Sequence, residues 1–241
     1  MEKLKEILLS GERKGCEVVE IYLEEGEVET IEVRGGSIEN YDRAKDIGYG
    51  IRVLKDGVMG LAYGTNLNEA ETILEQAIAL TSAGEPDSHI TFARDFRIDN
   101  PLIKEELTTT KGKIAALIEL EKEIIGSDSR IISVGVTHSK SSRNKVALLN
   151  NQGVEVTFNK GVAYVFADIT TSDGKDQRGA WDFDIKRTFE ELDLKKIKEG
   201  VVKKGVSLLG AKKIPSQKIT VILPPLEAAE LLDALASVFT A

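Results

Sequence analysis

The chain has 241 residues, 41% of them apolar and 30% charged, with a formal net charge of −8 and a pI near 5.1. This is a globular composition that can bury a sizeable core, which excludes a disordered chain, and its acidity opposes a phosphate backbone as partner unless a strong local basic patch exists. The single cysteine cannot form an internal disulfide, and no stretch supplies the ~18 apolar residues of a membrane span, so the cytoplasm is the expected location and no membrane is expected as partner.

The amphipathic start predicts a helix over residues 2–14, with mixed charge and without the apolar run of a signal peptide. Alternating patterns predict strands at 18–24, 27–34, 37–44, 47–54 and 58–63, then a helix at 68–83. Residues 85–109, which carry Pro86, Asp87, Asp95, Asp99, Asn100 and Pro101, read as an irregular connector. The order then returns, with a helix at 110–125, strands at 130–139, 145–150, 154–160, 162–170 and 177–183, and a helix at 189–209. Turn markers recur in the same order: Gly48-Tyr49-Gly50 is echoed by Gly161-Val162-Ala163, and Lys55-Asp56-Gly57 by Ser172-Asp173-Gly174. Asp-Gly between alternating strands is a hairpin signal because such turns need positive φ. The echoes fit an internal duplication, or the shared vocabulary of antiparallel meanders. Either way the class is α+β, antiparallel sheet with helices packed on it.

The reading divides the chain into an N-terminal α+β domain, residues 1–210, with repeats at 1–84 and 110–210, and the start of a C-terminal domain at 211–241. In that tail, 218–223 reads as a buried strand, and after Pro224-Pro225 an apolar helix over 226–239 needs a surface to pack against. Such a chain reads as the front part of a longer one.

Candidate chemistry is sparse. Zinc needs converging imidazole, thiolate or carboxylate ligands, and His89, His138 and Cys16 are the only histidines and cysteine. His138 sits among strand-end serines that fit turn roles better than a nucleophile's setting, His89 reads as a surface residue, and Cys16 as a small buried apolar one. The acidic pairs Glu24-Glu25 and Glu105-Glu106 read as solvent-facing, with loose cation binding as the sharper alternative. Gly48-Tyr49-Gly50 opens no helix and so makes no phosphate cradle; glycine in a strand instead permits close backbone approach, by the sheet's own packing or by an extended peptide. Lys195, Lys196, Lys198, Lys203, Lys204, Lys212 and Lys213 form the best basic patch, read as a solvated helix face, so no nucleic acid is expected as partner.

The stretch from Asp46 to Leu67, with Gly48-Tyr49-Gly50-Ile51-Arg52-Val53, the Asp56-Gly57 turn and Gly60-Leu61-Ala62, resembles the TldD/PmbA family, the so-called modulators of DNA gyrase. The runs 148–154, 173–179 and 211–223 add to the likeness, which extends along the chain but covers only about the front half of a family member on ordinary domain sizes. The resemblance implies a peptidase system in which one subunit carries His-Glu-x-x-x-His on the helix after the final strand, binding zinc, while a sister subunit keeps the fold without metal. Aligned on Leu231-Leu232, those positions are Asp233, Ala234 and Val238 here. The chain thus looks like the metal-free sister, with no catalytic or metal residue of its own, zinc expected in a TldD-like partner subunit (a homodimer being the other assembly), and small, leader or unfolded peptides as substrate.

Overall fold

A computed structural model describes residues 1–100 and 106–239. These residues fall into two units, Met1–Leu209 and Gly210–Ala241. The first unit opens with helix α1 (Glu2–Arg13), followed by strands β1 (Val18–Arg34), β2 (Ser37–Lys55) and β3 (Val58–Gly64) and helix α2 (Ala70–Thr81). A short strand β4 (Arg97–Asn100) leads into helix α3 (Thr110–Ile125), strands β5 (Ile131–Asn150), β6 (Glu155–Ser172) and β7 (Gln177–Lys186), and helix α4 (Leu194–Leu208). Each half is therefore helix, three antiparallel strands, a 3₁₀ turn (Leu67–Glu69 or Phe189–Glu191) and helix. The strands form one sheet in the order β3-β2-β1-β5-β6, with β7 and β4 side by side along the far edge of β6; β4 alone is parallel to its neighbour.

The long central strands determine the layout. Their alternation sends odd-numbered residues of β1 toward the helices. Val19, Ile21 and Leu23 join one core with α1, α2, Tyr49, Ile51 and Val53, while Ile31 and Val33 join a second core with α3, α4 and Val165 to Ile169 of β6. β5 runs the other way, giving Val134 to the second core and Ala147 and Leu149 to the first. Each core is thus completed by a strand from the opposite half, and the two repeats interlock.

Local chemistry explains the boundaries. Asp56 (φ 53°) and Gly57 (φ 75°) form the β2–β3 turn with both central residues left-handed, the geometry that matches strand twist. The Thr109 side chain caps α3 by accepting from Gly112 N at 3.2 Å, and Asp193 caps α4 by accepting from Lys196 N at 2.9 Å.

Three sequence expectations need correction. The paired short strands at 18–24 and 27–34, 37–44 and 47–54, 130–139 and 145–150, and 154–160 and 162–170 are single long strands, β1, β2, β5 and β6. The connector contributes β4, which pairs with the start of β6; Pro101 and Glu105 lie outside the described residues. Residues 218–223 form no strand, and Ile219, Val221 and Ile222 are exposed, because the second unit supplies no strand beside them among the described residues. In the second unit, helix α5 (Pro225–Ala236) starts with proline in its first turn, where the missing N–H costs nothing, and it buries no residue. Ala241 lies outside them.

Candidate functional site

The four strand interruptions expected from sequence lie in one line across the sheet. Gly26 of β1 stands opposite Asp46 of β2 and Asn144 of β5, and Arg143 stands opposite Gly161 of β6. What reads as loop is a polar band separating the two cores. On its helix-bearing face, β1 places Glu25, Glu27 and Glu29, flanked by Arg43 and Lys45 from β2 and by Ser141, Arg143 and Lys145 from β5. In register, Glu27 lies between Lys45 and Arg143, and Glu29 between Arg43 and Ser141.

Two adjoining cavities occupy this band. The first, about 190 Å³, is lined by Glu27, Glu29, Arg43, Arg143, Lys113 and Thr108 to Thr110 among others; the second, about 350 Å³, shares Glu27 and Arg143 and adds Lys45 and Lys145. Lys113, 3% exposed, reaches in from the first turn of α3. Its Nζ donates to Glu29 Oε2 at 2.8 Å and Ser141 Oγ at 3.0 Å and lies 3.4 Å from Glu106 Oε2. Burial works against ionisation of Glu29, but the bonds from Lys113 and Thr110 outweigh it and hold its pKa below the usual carboxylate range. Burial likewise opposes ionisation of Glu27, and Arg43 and Lys45 overcome it. Burial raises the pKa of Glu106, as does its hydrogen bond with Glu190.

One group in the band is unengaged. The Arg143 side chain makes no hydrogen bond or ion pair among the described residues, and one terminal guanidinium nitrogen is buried without a partner.

A second polar anchor lies at the foot of α4. Asp184, 5% exposed, accepts from Asp193 N at 3.0 Å and Lys186 Nζ at 3.1 Å. Burial pushes against its ionisation, and these donors more than offset it, so its pKa is lowered. A carboxyl that is more acidic folded than unfolded stabilises the fold above its unfolded pKa and loses that contribution as pH falls through the folded value. Acid titration followed by circular dichroism should show stability declining below about pH 5, and Asp184→Asn should be less stable at neutral pH with a shallower decline.

Two family models match the chain: PmbA/TldA metallopeptidase domain 1 over residues 19–81, and the PmbA/TldA metallopeptidase central domain over residues 104–209. The chain belongs to the TldD/PmbA metallopeptidase family. An uncharacterized protein of Methanocaldococcus jannaschii is 23% identical over 202 residues, 80% of this chain and 46% of the relative. Solved structures with the same fold include a candidate modulator of DNA gyrase from Bacteroides thetaiotaomicron (TM-score 0.80, 22% identity, 98% of this chain and 56% of that one). Another is TldE from Thermococcus kodakarensis (TM-score 0.71, 20% identity, 85% and 47%). The chain thus spans about half the length of these relatives.

Within this TldD/PmbA chain, Asp233 and Ala234 lie on α5 and Val238 just beyond it, all exposed. Together they offer a single carboxylate, which does not fit a zinc ion needing three protein ligands; among the described residues no group of three His, Cys, Asp or Glu could hold a metal. His138 faces away from the helices. Its Nδ1 lies 3.4 Å from Tyr164 Oη and its ring edge-on at 5.3 Å, with no serine or carboxylate bonded to it among the described residues, and burial lowers its pKa. Cys16 is buried, which raises its thiol pKa. His89 is exposed in a turn, its N–H donating to Asp87 Oδ1.

Glu24 and Glu25 point to opposite sheet faces, Glu24 accepting from Asn144 Nδ2 at 2.6 Å. Glu106 is not solvent-facing: its side chain is 11% exposed beside Lys113. Of the basic patch, Lys198 pairs with Glu123 at 2.7 Å and Lys204 with Asp182 at 3.1 Å. A Cβ at Gly48 would meet nothing within 4 Å and one at Gly50 only ordinary contacts, so close packing does not require either glycine. Among the described residues no helix is long and apolar enough to cross a membrane.

Sequence reasoning missed Arg143 and Lys113. The available signal was charge at every second position, in Glu25-x-Glu27-x-Glu29, Arg43-x-Lys45 and Arg143-x-Lys145, the period of a strand face.

Proposed function

We propose that this chain serves as the metal-free subunit of a TldD/TldE-type cytoplasmic metallopeptidase, paired with a zinc-bearing TldD-like subunit and acting on small, leader or unfolded peptides. One observation carries the reading: a helix follows Pro224-Pro225 where the family resemblance places His-Glu-x-x-x-His, and it presents Asp233, Ala234 and Val238 instead. No catalytic residue is assigned to this chain; its role is to complete the assembly and dock peptide.

The test is peptidase activity and zinc content of this protein alone and mixed with its metal-bearing relative from the same cell. Activity and zinc in the mixture only is the expected result. Stoichiometric zinc and activity in this protein alone would replace the reading with an independent metallopeptidase. That second reading draws on the chain's spanning about half the length of its relatives, which leaves ligands in a longer form of the protein open. Peptide affinity without metal or hydrolysis in either sample would make it a stand-alone binding or scaffold protein.

A further inference from the structure

We propose that the polar band between the two cores is a binding site for a carboxylate group, with Arg143 as its principal donor. The acids of the first cavity are already engaged. Glu27 is held by Arg43 and Lys45, Glu29 by Lys113 and Thr110, and Glu106 by Lys113 and the Phe189 N–H. A cation entering that cavity would have to displace these partners. Arg143 has none to displace, and its buried terminal nitrogen lacks an acceptor. A buried donor without an acceptor is unfavourable, and few survive in native proteins unless something arrives to satisfy them.

The form of the group selects the ligand. A guanidinium offers a planar fork of N–H donors that matches the two oxygens of a carboxylate. The first cavity is lined by three acids (Glu27, Glu29, Glu106) and three bases (Arg43, Lys113, Arg143), so its formal charges balance. A doubly charged phosphate would find no excess positive charge there, whereas a single carboxylate needs only the one open fork. Lys145, two residues along the same strand face, makes no ion pair among the described residues and lines the adjoining cavity, where the rest of a ligand would extend.

The carboxylate belongs either to a peptide C-terminus or to a free small acid. Both present the same chemistry to Arg143. The site does not depend on the partner-subunit reading, and because its readout is binding, failure here leaves that reading intact.

The experiment is an NMR titration of the 241-residue chain labelled at arginine, with the Arg143 Nε–H signal assigned by its loss in Arg143→Gln. The probes are acetate, N-acetylalanine, and one hexapeptide in free-acid and C-terminal amide forms. The expected result is a saturable shift of the Arg143 signal with the free-acid probes, at least about tenfold weaker binding of the amide, and a similar loss of affinity in Arg143→Gln, read there at the Arg43 Nε–H signal of the same cavity. The melting temperature of Arg143→Gln should lie close to that of the parent, since the side chain removed has no hydrogen bond or ion pair to lose among the described residues. Binding of the hexapeptide acid well above acetate identifies a peptide terminus, and equal binding identifies a free small acid. No saturable shift with any carboxylate overturns the site, as does unchanged affinity in Arg143→Gln. The acid-against-amide comparison in the parent chain decides the matter even if the variant folds poorly.

Discussion

Replacing Gly60 with alanine should lower stability by about 3 kcal/mol, at the upper end of ordinary overpacking costs. Gly60 lies on β3 opposite Val53, where α2 crosses the strand. A Cβ there would sit 1.9 Å from the Ala77 carbonyl oxygen, 3.0 Å from its carbon and 3.0 Å from Thr81 Cγ2. Two of these three are backbone atoms in the middle of a helix and cannot rotate aside, so α2 must lift from the sheet. Leu74 and Ala77, both fully buried, would lose contacts with the first core as it moves. For a unit of this size the midpoint of thermal unfolding should fall by roughly 6–12 °C. Gly48→Ala is the control: it stands on the same sheet with nothing within 4 Å of the added methyl, and it should change the midpoint by little. Equal effects at the two positions would show that loss of glycine flexibility, and not the close approach to Ala77, governs stability here.

The legibility of this fold in its sequence depends on what each element has to satisfy. α3 is read with its observed limits, Thr110–Ile125, because cap and amphipathic pattern are both local. The β2–β3 turn is legible because Asp56-Gly57 must supply positive φ. The long strands are not, because Glu24 to Gly26, Lys45-Asp46 and Lys140 to Asn144 look like breaks when each strand is read alone. Only in register do these charges become cross-strand neighbours that neutralise one another. β4 carries no alternation at all; it is strand only because the start of β6 offers it an edge. The reverse holds for 218–223, whose composition is that of a strand but which has no strand partner within its own unit among the described residues. The candidate site was hidden for the same reason as the strand centres: Lys45, Ser141 and Arg143 lie in what reads as connecting chain, Glu27, Glu29 and Arg43 read as ordinary charges near strand ends, and Lys113 looks like one more helix lysine until α3 is laid on β1.

Lys113→Met should be the costliest single change in the band. Removing one partner of a buried ion pair leaves the other charge uncompensated, at about 3–5 kcal/mol. The two carboxylates beside Lys113 would respond differently. Glu106 already has a raised pKa and can take up a proton when the ammonium is lost. Glu29 is held ionised largely through Lys113 and Thr110, so it carries most of the penalty. Urea unfolding at neutral pH should show a midpoint lowered by about 1–2 M, with much of the loss recovered in Lys113→Met combined with Glu29→Gln, which removes the stranded charge. The pH dependence gives an independent check. In Lys113→Met the folded-state pKa of Glu29 rises above its unfolded value, so the folded form binds more protons through that interval and stability increases as pH falls. The deficit relative to the parent should therefore shrink on going from pH 7 toward about pH 5. A deficit that is constant with pH would mean that the lost hydrogen bond to Ser141, and not the stranded charge of Glu29, governs the change.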